Sequence, residues 1–400
     1  MIACLLFLAV GAPDRYAVEA ARLTKATIAT FYDAKAKIWK PPVASSESVG
    51  TQGYTFWPSL LAWQAVIEAA KVDPKRWKPS VAAYYDVLEQ YFDHAGHAYC
   101  AWKYFPGNDD RFYDDNTWAA VACMEAYGLT RDVRYRKRAV EIFDGFVRGG
   151  WDPRGGLSWG TKAGIEDRKD RTVSATAAGA LAALLIGRKE DRPWAKRALD
   201  WIKGLEQPNG LIRDGMKDDG KIMPTVWTYN TGVPIRAACE YARRTGDKAY
   251  RDWAVRMGDA CLDRDLSPMF DGAVTDRSKR HWYDAVYFVQ YLTDGMRALS
   301  RFTGDARYLN EARREAEYCR DYLRDTDGLY RRNMRPWTIN QERTKAFRTL
   351  TGQDGPPLTP DSSERSMAPA ELAKPVEERA MAKTLLANAG AARMFWLLAH

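Results

Sequence analysis

The chain has 400 residues, 46% of them hydrophobic, and no low-complexity tract, which excludes a disordered protein. Its 60 Lys and Arg exceed its 52 Asp and Glu, giving +8, but the basic residues are spread through the chain as solvated helix faces and no nucleic-acid motif accompanies them. Fifteen Trp and 21 Tyr offer flat faces that suit both a core and the C–H surface of a sugar ring.

The first element, Ile2 to Val10 followed by Gly11-Ala12-Pro13, is apolar but too short to span a bilayer. It resembles the core of a secretory signal peptide without its charged leader. Residues 1–13 are therefore read as a partial signal peptide and 14–400 as one domain, secreted or periplasmic, monomeric and without a transmembrane segment. Cleavage would leave five of the six cysteines (Cys4, Cys100, Cys123, Cys239, Cys261, Cys319), so a disulfide framework is not expected. His94 and His97 could share a helix face, but no third ligand stands near them, and no metal is expected.

Beyond the leader, apolar residues recur at steps of three and four. They predict helices near 14–35, 57–71, 77–94, 114–128, 133–149, 172–186, 192–206, 229–244, 248–263, 283–301, 306–325 and 378–399, with almost no alternating strand. A repeat organises them. Asp132, Tyr135 and Ala139 recur as Asp191, Trp194, Ala198, as Asp247, Tyr250, Ala254, and as Asp305, Tyr308, Ala312; Asp73 and Trp77 form a looser copy. The aspartates are spaced by 59, 59, 56 and 58 residues. Each copy reads as a helix–helix corner: Gly246 or Gly304 ends one helix, the aspartate caps the next, and the aromatic and alanine share a face.

Connections holding the repeated aspartate are short, while those near 36–56, 95–113, 150–171, 207–228, 264–282 and 326–377 are long and rich in Gly, Pro and Trp. This alternation predicts six helical hairpins closed into an all-α (α/α)6 barrel; an open solenoid is the alternative. In the barrel, alternate helices line the centre and start at the long-loop end. Trp57, Asp114, Asp115, Ser174, Tyr229, Asn230, Tyr283 and Asp284 fall at those starts, with Trp227 beside them.

Tyr113-Asp114-Asp115-Asn116-Thr117-Trp118 is the most specific stretch. One aspartate would suffice to cap a helix. A second acid among aromatics gives two carboxyls that can approach to about 5–6 Å, the separation of a retaining glycosidase. Like charge and burial would raise one pKa, as a general acid requires, against the opposing helix dipole.

The stretch YDDNTWAAVACMEAYGLTRDVRY resembles the signature of glycoside hydrolase family 76, whose characterised members are endo-acting α-1,6-mannanases. FWPSLLAWQAVIEA, Gly155-Gly156-Leu157-Ser158-Trp159, Asp214-Gly215 with WTYNTGVPIRAACEYARRTGD, and LLANAGAARMFWLLA resemble further family stretches in the same order, over nearly the whole chain. The resemblance implies a retaining mechanism without a cofactor, with Asp114 as nucleophile and Asp115 as acid/base. Trp57, Tyr113, Asn116, Trp118, Ser174, Trp227, Tyr229 and Asn230 would bind an α-mannan chain. Departures are Arg171-Thr172 for Lys-Asn, Thr231 for Gln, Asp284-Ala285 for Lys-Gly, and the insertion at 326–377. Asp284 and the basic balance leave room for an acidic glycan; a transglycosidase is a further alternative, as is a glycan-binding protein without turnover, against which the intact acid pair argues.

Overall fold

A computed structural model describes residues 14–162, 164–266, 269–353 and 362–399. The leader read at 1–13 lies outside these residues. Eleven helices follow in order: α1 (Arg15–Phe31), α2 (Phe56–Val72), α3 (Pro74–Leu88), α4 (Tyr113–Thr130), α5 (Val133–Gly145), α6 (Val173–Ile186), α7 (Arg192–Lys203), α8 (Thr228–Thr245), α9 (Lys248–Ala260), α10 (Val286–Thr303) and α11 (Ala306–Tyr318). Two shorter helices, α12 (Gln341–Thr351) and α13 (Pro369–Leu372), lie in the insertion, and α14 (Leu385–Leu398) ends the fold.

Helices α2, α4, α6, α8, α10 and α14 pack in that order, and α14 returns to α2, so the ring closes as an (α/α)6 barrel rather than an open solenoid. Composition explains who sits inside. Every residue of α14 and 12 of the 14 in α6 are buried, because inner helices meet neighbours, outer partners and the lumen all round. Outer helices bury one stripe only, as Tyr308, Glu311, Ala312, Glu315 and Ala316 do on α11. Inner helices α8 and α10 cross closely at Gly232 and Gly295, where a Cβ on either would strike the other backbone.

The repeated corners have the expected chemistry. Asp73, Asp132, Asp247 and Asp305 accept from the first free N–H groups of α3, α5, α9 and α11. Thr130, Thr245 and Thr303 in turn accept from the N–H of Asp132, Asp247 and Asp305 at 3.2–3.3 Å. Gly246 and Gly304 take the left-handed conformation at φ +77° and +79°. Asp191 differs: it makes no cap bond and instead pairs, buried, with Arg148 and Arg188.

At the opposite end a second anchor recurs, one turn into the inner helices. The backbone N–H groups of Tyr99, Leu157, Ile212 and Tyr330 donate to Asn116, Thr176, Thr231 and Asn388 at 2.7–3.2 Å. Each bond ties a long loop to the barrel. Short strands absent from the sequence reading also stiffen this rim. Four two-residue strands pair antiparallel in the order 222–223, 215–216, 171–172, 157–158, too short for alternation to register in the sequence. The insertion leans on the α1–α2 loop, with Met367 N–H donating to Ala44 at 2.8 Å.

Deeper in the lumen lies a cluster of charge. Arg236 on α8 pairs with Asp294 on α10 (2.6 Å) and reaches Glu125 on α4 (2.5 Å). Arg393 on α14, fully buried, pairs with Asp294 (2.9 Å) and donates to Gln290. Burial would raise Asp294, but Arg236, Arg393 and Arg297 overcome it and hold the carboxyl down at about 2. Since α4 and α8 are not neighbours in the ring, the Arg236–Glu125 pair spans the lumen and plugs it. No helix of the described residues is long and apolar enough to cross a membrane.

Candidate active site

Where the inner helices begin, a pocket of about 560 Å³ opens above the plug. Asp114 and Asp115, in the first turn of α4, form part of its lining. Helical geometry sorts their neighbours. At 100° per residue, Trp118 is one turn on from Asp114 and shares its face, whereas Asn116 points nearly opposite.

The two carboxyls meet different surroundings. Asp114 accepts from Trp159 Nε1 (3.1 Å), from Ser174 Oγ (3.2 Å) and from the N–H of Asp115 (3.0 Å). Burial pushes Asp114 up to about 6, with these three donors restraining the rise. No donor among the described residues reaches the carboxyl of Asp115. Burial, then the charges of Asp114 and Asp110, push it well above the carboxylate range, opposed by Arg168. Burial thus raises both carboxyls, and only Asp114 has donors that restrain the rise, although the two share one helix end.

Loops supply the rest. Arg168 pairs with Asp110 at 3.3 Å, and its guanidinium lies 3.9 Å from the Phe112 ring and 4.9 Å from the Trp159 ring. It therefore packs against the indole that donates to Asp114 while offsetting charge beside Asp115. Asp170 accepts from the N–H of Asp218 at 3.0 Å, and its carbonyl accepts from that of Trp159. Tyr229 donates to Asp214 at 2.9 Å. Burial raises Asp214, and the side chains of Tyr229, Asn230 and Trp227 counter it. Opposite the acids, Trp57, Tyr229 and Phe288 make an aromatic wall: Phe288 stacks on Trp57 at 5.9 Å and meets Tyr229 at 4.6 Å.

Of the residues singled out in the sequence, Asp114, Asp115, Trp57, Trp118, Ser174 and Tyr229 line the pocket. Four others do not. Asn116 is fully buried and exchanges hydrogen bonds with the Tyr99 backbone, because its helix position faces the rim loop instead of the lumen. Tyr113 turns outward and stacks on Phe146 at 4.5 Å. Asn230, also fully buried, and Trp227, exposed beside Phe288, lie near Asp214 without lining the pocket. The lining residues missed include Asp110, Arg168, Asp170 and Tyr291, while Trp159 and Asp214 were named only within the resembling stretches, without a site role; most of these lie on aperiodic loops.

The departures take structural places. Arg171 is buried and donates to the carbonyls of Gly155 and Lys217. Thr172 caps α6, and Thr231 holds the Ile212 loop. Asp284 accepts from the N–H and hydroxyl of Thr228 at 2.7 and 2.9 Å, so it caps α8. Asp284 therefore does not prepare the pocket for an acidic glycan. The pocket is lined by six aspartates and one arginine, with no lysine, a balance that repels anions. The five described cysteines are buried free thiols.

Residues 16–301 match the family described as Glycosyl hydrolase family 76. A Schizosaccharomyces pombe protein, the meiotically up-regulated gene 191 protein, is 28% identical over 375 residues, covering 85% of this chain and 83% of that protein. Among solved structures, a family 76 α-mannanase of Bacteroides thetaiotaomicron superposes with a TM-score of 0.75 at 16% identity, covering 96% of each chain. An inactive α-1,6-mannanase variant of Salegentibacter sp. HEL1_6, with two adjacent aspartates changed to asparagine and α-1,6-mannotriose bound, gives 0.68 at 17% identity over 96% of this chain and 99% of that one. A cellobiose 2-epimerase of Bacillus thermoamylovorans shares the fold at 0.64 and 11% identity, covering 95% and 98%.

Proposed function

Because the chain belongs to glycosyl hydrolase family 76, and is thereby a glycoside hydrolase, we propose that it cleaves α-1,6-mannan within the chain and with retention at the anomeric carbon. The observation that carries this reading is the unequal treatment of two adjacent acids: among the described residues, three donors reach Asp114 and none reaches Asp115. Asp114 stays ionised and attacks the anomeric carbon. Asp115 holds a proton and gives it to the departing glycosidic oxygen as that bond breaks. The resulting ester is opened by water, whose proton returns to Asp115. Trp159 and Ser174 orient the nucleophile, and Arg168 keeps Trp159 in place.

Substrate class follows from the same pocket. A neutral polyhydroxy ring can donate to Asp110, Asp170 and Asp214 while its C–H face lies on Trp57 or Phe288, whereas a uronic acid would meet like charge. The Salegentibacter α-1,6-mannanase variant, inactive with two adjacent aspartates changed and bound to α-1,6-mannotriose, supports the choice of sugar and of acids.

Incubation of the wild-type protein with α-1,6-mannan tests this. Mass spectrometry is expected to show hydrolytic oligosaccharides, and proton NMR in the first turnovers to show new α-anomeric ends. New β ends would make the enzyme inverting. Products joined to an added sugar acceptor would make it a transglycosidase. No release over long incubation would remove mannan as substrate.

A further inference from the structure

Three of the eleven most exposed large apolar side chains among the described residues lie within four positions of one loop: Trp102 (37%), Tyr104 (40%) and Phe105 (57%). The loop is not loose. Ala101 accepts from the N–H of Phe56 at the start of α2 (2.9 Å) and donates to Asp110 (2.8 Å), which fixes its inner end at the pocket. Tyr104 donates to the carbonyl of Gln90 beyond α3, in the outer ring (2.9 Å). Asn108, buried beneath, accepts at its carbonyl from Arg111 (3.2 Å), and its own N–H donates to Phe105 (3.0 Å). A backbone so tied holds its aromatics in water by construction.

The ridge also has a direction. Trp102 lines the pocket, while the backbone of Tyr104 is bound over the outer ring, so the aromatics run from the acid pair outward across the rim. A polymer whose scissile bond lies at Asp114 and Asp115 must leave the pocket somewhere, and this is a route paved with ring faces.

We propose that Trp102, Tyr104 and Phe105 form a distal binding track for the α-1,6-mannan chain, engaging sugars beyond those held in the pocket. The track rests on the proposed substrate but is separable from the chemistry. Tyr104 and Phe105 do not line the pocket, so they set affinity for long chains and leave bond cleavage alone.

The test uses the full chain and the double variant Tyr104→Ala/Phe105→Ala, with thermal melting as a fold control. In native gels containing α-1,6-mannan, wild-type protein is expected to be retarded and the double variant much less so. In kinetics, kcat/KM on the polymer is expected to fall about tenfold through KM, with α-1,6-mannotetraose cleaved as before. Equal retardation of both proteins, or no retardation of the wild type, would overturn the track. An equal fall on polymer and tetraose would likewise overturn it. Retardation lost in the variant, with no turnover by the wild type on either substrate, would uphold the track and reject the hydrolase reading.

Discussion

Two charge clusters occupy the same barrel and are built on opposite rules. In the lumen, with Arg236, Asp294 and Arg393 each about 12 Å below their helix starts by the rise of eight helical residues and Glu125 deeper along α4, every acid has a basic partner. In the pocket, six aspartates face one arginine. Balance at depth joins helices across the ring. At the mouth, burial raises both Asp114 and Asp115, and only Asp114 has donors to restrain it. The folded chain tolerates the second cluster at a cost in stability, as expected of the proposed active site.

If the deep cluster is structural, breaking it should cause the larger loss of stability. Arg393→Leu leaves Asp294 and Gln290 short of a buried donor and should cost about 3–5 kcal/mol in urea denaturation. A loss below about 1 kcal/mol would make the plug incidental. The mouth should respond with the opposite sign. Asp115 has its folded pKa raised, so between its unfolded value near 4 and that raised value the folded state binds more protons and stability falls as pH rises. Asp115→Asn removes this term. Its melting temperature should exceed that of wild type by a few degrees at pH 7, with the gain vanishing towards pH 4. A variant less stable at pH 7 would show that Asp115 is a structural group.

Most of the barrel was legible because its signals are local and periodic. Thr-Gly-Asp corners at Gly246 and Gly304 announce a left-handed ending and a cap, and the structure has both. The predicted last helix began too early, since residues 376–378 form a separate short turn and Thr384 caps α14. The predicted helix at 283 likewise begins at Val286, because Asp284 is spent capping α8.

The acid pair was legible through its motif, but its neighbourhood was only half so. Asn116 and Tyr113 were linked to the site by adjacency, although helical phase turns both away from Asp114 and leaves Trp118 facing inward. The anchors at Asn116, Thr176, Thr231 and Asn388 were also within reach, since each stands at the same depth of an inner helix. Asp110, Arg168 and Asp170 were not. They sit on loops without period, and only the closed ring brings them to α4.

If the proposed function holds, Asp114 and Asp115 each perform an indispensable step on α-1,6-mannan. Its most direct test is oligosaccharide release by Asp114→Asn and Asp115→Asn beside wild type, with folding checked by circular dichroism. Release should fall at least about a thousandfold in each folded variant. Undiminished release by either one would contradict the account.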